Sequence, residues 1–303
     1  MQHPICSESS LAAGEPLAGS APAATAWLCL EQNGPWGRKA WTESHLDPEL
    51  GGRIEAAANA AGVRPSLVRR AGRHADRHRG GTRAVMAAAT HPRGAWLLSG
   101  RIEDPGMLLD LNLAALAAGD LDAVRRSLPG LEVDSAPQLL VCTNGMRDTC
   151  CARLGRPVAL SAATAHADQV WEVTHTSGHR FAPTTVLLPS GFLHGRVLDA
   201  SAILAAAHRG HVQVAGLRGR STWPPAGQVA EIHVREREGI DGLDDLDVVA
   251  EADLWRVRHR DGRSWLVGVD TEPGGTRAES CGKDLKPVTR YVATLADPVP
   301  SEA

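Results

Sequence analysis

Two cysteines and two histidines stand at the ends of apolar runs in the middle of this chain. Cys142 closes the run LLVC, and Cys151 follows it after a polar turn of eight residues. His175 follows a second run, VWEVT, and His179 comes after three more residues, one of which is Gly178. Glycine permits a tight turn that would bring both imidazoles to one side. Thiolates and imidazoles bind zinc and iron-sulfur clusters, so these four residues indicate a metal centre.

The residue types alone leave two kinds of metal centre open. Two cysteines and two histidines are a common ligand set for Zn²⁺, and the spacing by itself favours zinc. The same set could hold a 2Fe-2S cluster, in which two neutral imidazoles in place of two thiolates raise the reduction potential. Imidazoles would also allow proton transfer to accompany electron transfer.

Other polar residues of this segment are candidates for supporting roles. Asp148 can cap a helix or accept a hydrogen bond from a ligand imidazole. Cys150 is either a small buried helix residue, a spare ligand or a redox-sensitive thiol. The nearby arginines either form surface ion pairs or provide a docking face for an acidic redox partner. These arginines are Arg147, Arg153, Arg156, Arg180 and Arg196.

A thiol enzyme is a rival interpretation. Cys150 and Arg156 have the C-x5-R spacing of a phosphatase or arsenate-reductase loop, in which a helix N-terminus and an arginine bind an oxyanion. That loop should directly follow a strand, but the polar turn NGMRDT precedes Cys150, which disfavours a thiol-based reductase or phosphatase.

Other histidines and cysteines have simpler explanations. His166 and His194 could replace a ligand only if the register shifts. His74 and His78 repeat the four-residue step inside the basic segment 69–83, but that segment contains no cysteine and favours a solvated loop. Among the remaining cysteines we expect Cys29 in the core, Cys6 exposed and Cys281 in a turn without a partner.

The elements that would position the metal ligands follow from periodicity and turn residues. Residues 1–23 are aperiodic, and a strand at 24–32 precedes a helix capped by Asp47. Three strands follow, then a helical stretch over 105–118 and a linker at 128–138. In residues 131–216 the predicted order is strand, helix, strand, strand, strand, helix, which matches a thioredoxin-like arrangement. The sequence of residues 217–303 predicts a helix and a hairpin. No internal repeat is visible. We therefore predict an α/β (α+β) protein with a small N-terminal α/β domain (1–130), a thioredoxin-like domain (131–216) and a strand-rich tail (217–303).

Three segments resemble the sucrase/ferredoxin-like family: CTNGMRDTCC, HTSGHRFAPTTVLLPSG and the upstream GPWG. The resemblance extends over about residues 15–220. It implies a thioredoxin-like ferredoxin in which Cys142 and Cys151 hold one iron of a 2Fe-2S cluster and His175 and His179 hold the other. The resemblance thus favours iron-sulfur over zinc. Asn144 departs from the family pattern, where histidine is more usual, and Cys150 is an additional thiol.

Composition limits the classes of partner. The net charge of -3 excludes an overall nucleic-acid-binding character, and no stretch approaches the ~20 apolar residues that span a bilayer. The six scattered cysteines and the lack of a secretory leader predict a cytoplasmic protein, as a monomer or a homodimer. No G-x-G-x-x-G follows a strand, so electrons would come from a partner protein or a small reductant. We therefore expect an electron carrier rather than an enzyme, with a zinc-stabilised interaction module as the alternative.

Overall fold

The computed structural model describes residues 5–72 and 81–299 and shows a mixed α/β architecture with open sheets. His74 and His78 lie outside the described residues. A ten-stranded sheet occupies residues 26–220, and a four-stranded antiparallel sheet follows it.

The first lobe is a β-α-β unit extended by an antiparallel pair. Its strands are β1 (Ala26–Glu31), β2 (Val63–Arg70), β3 (Arg83–Ala89), β4 (Trp96–Ile102) and β5 (Glu132–Val133). Strand β1 is parallel to β2 and antiparallel to β3, which pairs with β4. Helix α2 (Pro48–Ala60) connects β1 to β2, and the Asp47 carboxylate caps it by accepting a hydrogen bond from the Leu50 N–H at 2.8 Å. Both the cap and the proline at the first position agree with the sequence prediction.

The second lobe repeats this order of elements. It contains β6 (Gln138–Cys142), α5 (Thr149–Ala163), β7 (Val170–Val173), β8 (Thr185–Leu188), β9 (Phe192–His194) and α6 (Ala200–His208). Strand β6 is parallel to β7 and antiparallel to β8, which pairs with β9. The strand order β9-β8-β6-β7 is the predicted thioredoxin-like arrangement, and β4-β3-β1-β2 of the first lobe has the same topology. The chain thus contains a structural repeat that its sequence does not reveal.

Strands β2 and β7 join the two lobes into one sheet. They pair antiparallel, with Val68 opposite Val173. Beside this pair, the guanidinium of Arg69 and the carboxylate of Glu172 form a buried salt bridge at 2.6 Å. The Thr143 hydroxyl donates to the same carboxylate at 2.8 Å. Because this charge pair is buried and hydrogen-bonded, removal of either partner would leave an uncompensated charge. The lobe boundary near residue 130 stays a prediction, since one sheet runs through both lobes.

The tail is strand-rich, as predicted. Strand β10 (Leu217–Arg220) extends the large sheet beside β9, and helix α7 (Pro225–Glu238) packs against the small sheet. That sheet consists of β11 (Leu246–Glu251), β12 (Leu254–His259), β13 (Ser264–Ala278) and β14 (Leu285–Val299). The turn between β13 and β14 carries Cys281.

Two local predictions, for the N-terminal segment and the linker, were wrong, and a third, for the helical stretch, was correct in its bounds but not in its continuity. The aperiodic N-terminal segment contains a helix, α1 (Cys6–Ala12). The helical stretch over 105–118 divides into a 3-10 helix (Pro105–Leu109) and α3 (Leu113–Ala118), with α4 (Leu121–Ser127) beyond it. The interruption arises because the Asn112 side chain begins a new helix by accepting from the Ala115 N–H. The linker at 128–138 contains β5, which pairs with β4.

Candidate metal centre

Cys142 and Cys151 are brought together by the close packing of α5 on β6. Cys142 is the last residue of β6, and Cys151 lies in the first turn of α5. A Cβ atom at Gly155 would lie 2.2 Å from the Cys142 carbonyl oxygen, so only glycine permits this approach. The Asp148 side chain caps α5 by accepting from the Cys150 N–H at 2.8 Å, as the sequence predicts. Both Cys142 and Cys151 are buried.

His175 and His179 flank a turn that follows β7. Ser177 and Gly178 have positive φ angles of 61° and 70°, and His179 begins a short 3-10 helix (His179–Phe181). The turn reverses the chain so that the two imidazole rings stack, with centroids 4.7 Å apart and an interplanar angle of 25°. The tight turn predicted at Gly178 is confirmed by its positive φ, and a Cβ atom there would also lie 2.3 Å from an Arg218 nitrogen.

The four predicted side chains lie in one region of the second lobe. The Cys151 Sγ lies 3.3 Å from the His179 Nδ1, and Cys151 and the two histidines are the main side chains that act on the charge of Cys142. Among the described residues, no three of these four donors have ligand atoms within 4.8 Å of one another. His179 is buried, whereas His175 is partly exposed and is therefore the member nearest to solvent.

The protonation states of this group suit a metal ligand set. The hydrogen bond from Cys151, assisted by His175, holds the pKa of the Cys142 thiol well below its usual range despite burial. The same hydrogen bond, together with burial, raises the pKa of Cys151. Burial lowers the pKa of His179 to about 4 and also lowers that of His175. Burial thus favours the neutral form of both imidazoles, whose lone pairs are then available to a metal.

Two arginines beside this group were not found from the sequence. Arg218 is fully buried and donates to the Ser177 carbonyl at 3.0 Å and to the Ser20 hydroxyl at 3.1 Å. Arg64 is half-buried and donates to the Ser177 hydroxyl at 2.8 Å, but its Nε has no hydrogen-bond partner. Burial lowers the pKa of Arg218 to about 9 and of Arg64 to about 10, while the negative charge of Cys142 opposes both shifts. Within residues 5–72 and 81–299, no carboxylate forms a salt bridge with either guanidinium.

A loop of the first lobe covers the second lobe near His175. The Asn144 side chain donates to the Gly37 carbonyl at 3.0 Å, which ties the GPWG segment to the polar turn. A cavity of 210 Å³ opens beside His175, and its basic lining residues are Arg38, Lys39, Arg64 and Arg147. Arg147 and His175 therefore line the same cavity.

Arg180 and Arg196 hold the N-terminal segment. Arg180 forms a salt bridge with Glu15 at 2.8 Å. Arg196 donates to the Ser10 hydroxyl at 3.1 Å and to the Glu15 carbonyl at 2.9 Å. The guanidinium groups of Arg180 and Arg196 are therefore paired with the N-terminal segment.

A second group of donors surrounds Cys150, the residue before Cys151 in α5. Donor atoms of Cys6, Asp148, Cys150 and Cys281 all lie within 4.8 Å of one another, so this group could hold a metal ion. Cys6 was expected to be exposed but is buried, because α1 carries it inward. Cys281 was expected to have no partner, but its Sγ lies 3.1 Å from the Cys150 Sγ. Hydrogen bonding from Cys6 lowers the pKa of Cys150 to about 6.

The sequence could not indicate this second group. Cys6 and Cys281 are separated by almost the whole chain, and neither belongs to a recognisable spacing. The only local signal was the thiol of Cys150 beside the predicted ligand Cys151.

The other rival residues lie elsewhere. Cys150 is inside α5 and Arg156 is exposed on the same helix, which does not form a strand-to-helix phosphate loop. His194 is buried and donates from Nε2 to the Gln213 carbonyl at 2.9 Å. His166 stacks on His208 with ring centroids 6.2 Å apart. Cys29 is buried in β1, as expected.

Comparison with known proteins assigns the two lobes to one family. A family model described as sucrase/ferredoxin-like matches residues 17–213, which contain β1 to α6. No match was found among curated proteins or among solved structures. Over the described residues, no helix combines the length and apolarity that crossing a bilayer requires. Because the family model covers about two thirds of its length, the chain belongs to the sucrase/ferredoxin-like family.

Proposed function

We propose that the protein transfers single electrons through a 2Fe-2S cluster bound by Cys142, Cys151, His175 and His179. The observations that support this proposal are the 3.3 Å between the Cys151 Sγ and the His179 Nδ1 and the stacking of His175 on His179. The family resemblance supports the division in which the cysteines bind one iron and the histidines bind the other.

The donor set suits the chemistry of such a cluster. Thiolates bind iron strongly, and the two imidazoles are already neutral at pH 7 because burial lowers the pKa of each. Ligands on two different irons lie farther apart than the 3.3 Å between the Cys151 Sγ and the His179 Nδ1. Binding would therefore require the imidazoles to move away from the thiols, and the cavity of 210 Å³ beside His175 offers room for this movement.

The positions of Arg64 and Arg218 support a centre that gains negative charge when it is reduced. Two ferric ions, two sulfides and two thiolates sum to zero, and one added electron gives a net charge of -1. Arg64 and Arg218 stand beside the centre without a carboxylate among the described residues, so their guanidinium groups would stabilise the reduced state. A Zn²⁺ ion with two thiolates stays neutral and would not use these charges.

The protein's own residues determine how electrons reach the centre. A cluster, when bound, accepts and releases one electron. His175 is the donor nearest to solvent, and the basic cavity beside it favours an anionic reductant or an acidic face of a partner protein. A partly exposed imidazole at this position can also release or take up a proton when the charge of the centre changes.

Zinc is the second candidate, and the short distance between Cys151 and His179 favours it. Donor atoms around a single tetrahedral ion lie ~3.5 Å apart, given zinc-ligand distances of ~2.0–2.3 Å. In that case the centre would only stabilise the fold, and the protein would be an interaction module without redox activity.

Metal and acid-labile sulfide analysis of the anaerobically purified protein tests the proposal. We expect two irons and two sulfides per chain, with red-brown visible absorbance that bleaches on reduction. Cys142→Ser should be colourless, whereas Cys29→Ala should keep the colour because Cys29 is buried in β1, outside the predicted ligand set. Colourless protein with stoichiometric zinc at this centre would contradict the proposal. A cytoplasmic location is part of the proposal, since all six cysteines are free.

A further inference from the structure

We propose that Cys6, Cys150, Cys281 and Asp148 form a second, structural metal site for Zn²⁺. The three sulfurs form a compact triangle: the Cys6 and Cys150 Sγ atoms lie 3.5 Å apart, Cys150 and Cys281 3.1 Å, and Cys281 and Cys6 3.5 Å. The Asp148 carboxylate oxygens lie 3.7 Å and 3.9 Å from the Cys6 Sγ.

These distances suit one tetrahedral ion. Two sulfurs bound to Zn²⁺ at ~2.3 Å lie roughly 3.8 Å apart, and a sulfur and a carboxylate oxygen lie roughly 3.6 Å apart. To bind the ion, the sulfurs would need to separate by about 0.3 Å in two of the pairs and by about 0.7 Å between Cys150 and Cys281. Thiolates held by different irons of a cluster would be farther apart, so the triangle favours a single ion.

The ligand types favour Zn²⁺ among single ions. Three thiolates select soft or borderline metals, and a carboxylate as fourth ligand suits Zn²⁺ better than Cu(I), which prefers sulfur. Four protein ligands around one ion form a closed site, which is typical of structural zinc.

The surrounding donors orient the ligands. The Asp148 carboxylate accepts from the Cys150 N–H at 2.8 Å and from the Cys281 N–H at 2.7 Å, which leaves further lone pairs for a metal. The Ser7 hydroxyl donates to the Cys150 Sγ at 3.3 Å, and the Cys6 N–H donates to the Cys281 Sγ at 3.5 Å. Such hydrogen bonds and the N-terminus of α5 offset the negative charge of the ligands.

An ion has a route to this site. Cys281 is partly exposed and lines a cavity of 430 Å³ together with Ser9, Arg277 and Lys283. Cys6 and Cys150 lie deeper, so an ion would enter past Cys281.

The site would connect three distant segments. Cys6 begins α1, Cys150 lies in the first turn of α5, and Cys281 belongs to the turn between β13 and β14. Helix α1 also packs against the 3-10 helix that contains His179. Zinc would therefore hold α1 and the hairpin of β13 and β14 next to the 3-10 helix that contains His179, a ligand proposed for the first centre.

Zinc binding to the full-length Cys142→Ser protein tests the site without the first centre. After removal of metal under reducing, anaerobic conditions, titration with Zn²⁺ should show one ion bound per chain with a sub-micromolar Kd, on the order expected for structural zinc. Co²⁺ in its place should give the intense thiolate-to-cobalt absorption of a tetrahedral site. Cys281→Ser in the same background should weaken zinc binding at least 100-fold, and Cys29→Ala should not, with circular dichroism confirming that each variant is folded.

Three results would overturn the second site. They are no zinc binding by the Cys142→Ser protein, equal zinc affinity after Cys281→Ser, and a disulfide between Cys150 and Cys281 in freshly isolated protein. Iron analysis of the unmodified chain reports on the first centre separately, so either proposal can fail while the other stands.

Discussion

Cys150 and Cys151 are adjacent in sequence, but their thiols belong to different groups. Cys151 faces His179, and Cys150 faces Cys6 and Cys281. In the first turn of a helix, successive side chains point about 100° apart, which separates the two thiols. A spacing rule therefore predicts Cys151 as a ligand, whereas the environment of Cys150 depends on segments far away in the chain.

The charge of the ligands should control the reduction potential. In His175→Cys and His179→Cys, a thiolate replaces a neutral imidazole, so the oxidised state gains negative charge and reduction becomes less favourable. We expect a potential lower by on the order of 100 mV or more and a weaker pH dependence. Redox titration followed by visible absorbance at several pH values measures both. An unchanged potential in both variants would refute ligation by the histidines.

Removal of the positive charge of Arg64, which lies beside the centre, should also lower the reduction potential. Arg64→Gln removes a positive charge near Cys142 while its amide can still donate to Ser177. The reduced state then loses electrostatic stabilisation, and we expect the potential to fall by tens of millivolts, since a loss of about 1 kcal/mol is a typical result for a partly buried charge. Arg125→Gln is the matched control, because Arg125 lies in the first lobe and pairs with an exposed glutamate. Equal potentials for the two variants would contradict the role of Arg64.

At the scale of elements, regular patterns were predicted well and short or irregular ones were not. Helix α2 and its Asp47 cap followed directly from the sequence, as did the strands that end at Cys142 and before His175. Helix α1 was missed because seven residues carry too little periodicity, and β5 because a two-residue strand has none. The arginines were missed because their proximity to the centre arises from tertiary packing.

The contact between α5 and β6 should tolerate no side chain at Gly155. In Gly155→Ala the new Cβ would collide with the Cys142 carbonyl oxygen, so the helix must shift. We expect a loss of about 1–3 kcal/mol in the free energy of unfolding and a lower metal content. Gly52→Ala in α2 is the control: its nearest atom is 3.6 Å away, and alanine should stabilise that helix by up to about 1 kcal/mol. Urea unfolding and metal analysis of both variants check this, and equal effects would contradict it.

Strand β9 should make the protein sensitive to acid through His194. Burial lowers the pKa of His194 to about 4, whereas the unfolded chain should titrate near ~6.5. The unfolded state therefore takes up a proton first, and stability falls as the pH decreases from ~6.5 towards 4. We expect the titration of His194 to lower the free energy of unfolding by about 2 kcal/mol between pH 7 and pH 5. The His194→Gln side chain can still donate to the Gln213 carbonyl. Between pH 7 and pH 5, the free energy of unfolding of this variant should therefore decrease by about 2 kcal/mol less than that of the unmodified protein. Urea unfolding measures this, and the same pH dependence in both proteins would argue against the assignment.

At the scale of the whole molecule, two lobes of the same topology share one sheet, and a loop of the first lobe contacts the second through Gly37 and Asn144. The net charge is -3, but the cavity beside His175 is basic. The local charge at this approach thus differs in sign from that of the whole chain. This contrast was not apparent from composition, because Arg38, Lys39 and Arg64 come from the first lobe and Arg147 from the second.

The basic cavity should distinguish reductants by charge. Dithionite is anionic and hexaammineruthenium(II) is cationic. Electrostatic attraction to the basic cavity should therefore speed reduction by dithionite, and repulsion should slow reduction by the ruthenium complex. Raising the ionic strength should slow reduction by dithionite and accelerate reduction by the ruthenium complex. Arg147→Gln should weaken both salt effects, with Arg125→Gln as the control. Stopped-flow absorbance measures the rates, and salt effects of the same sign for both reductants would exclude this surface as the route.

The pairing of β2 with β7 has a consequence for how this centre is protected. Because both lobes belong to one polypeptide, the loop that contains Gly37 meets Asn144 within the same molecule. Dilution cannot separate the two lobes, as it would separate two subunits. If the proposed centre is present, its cover beside His175 would therefore not depend on the concentration of the protein.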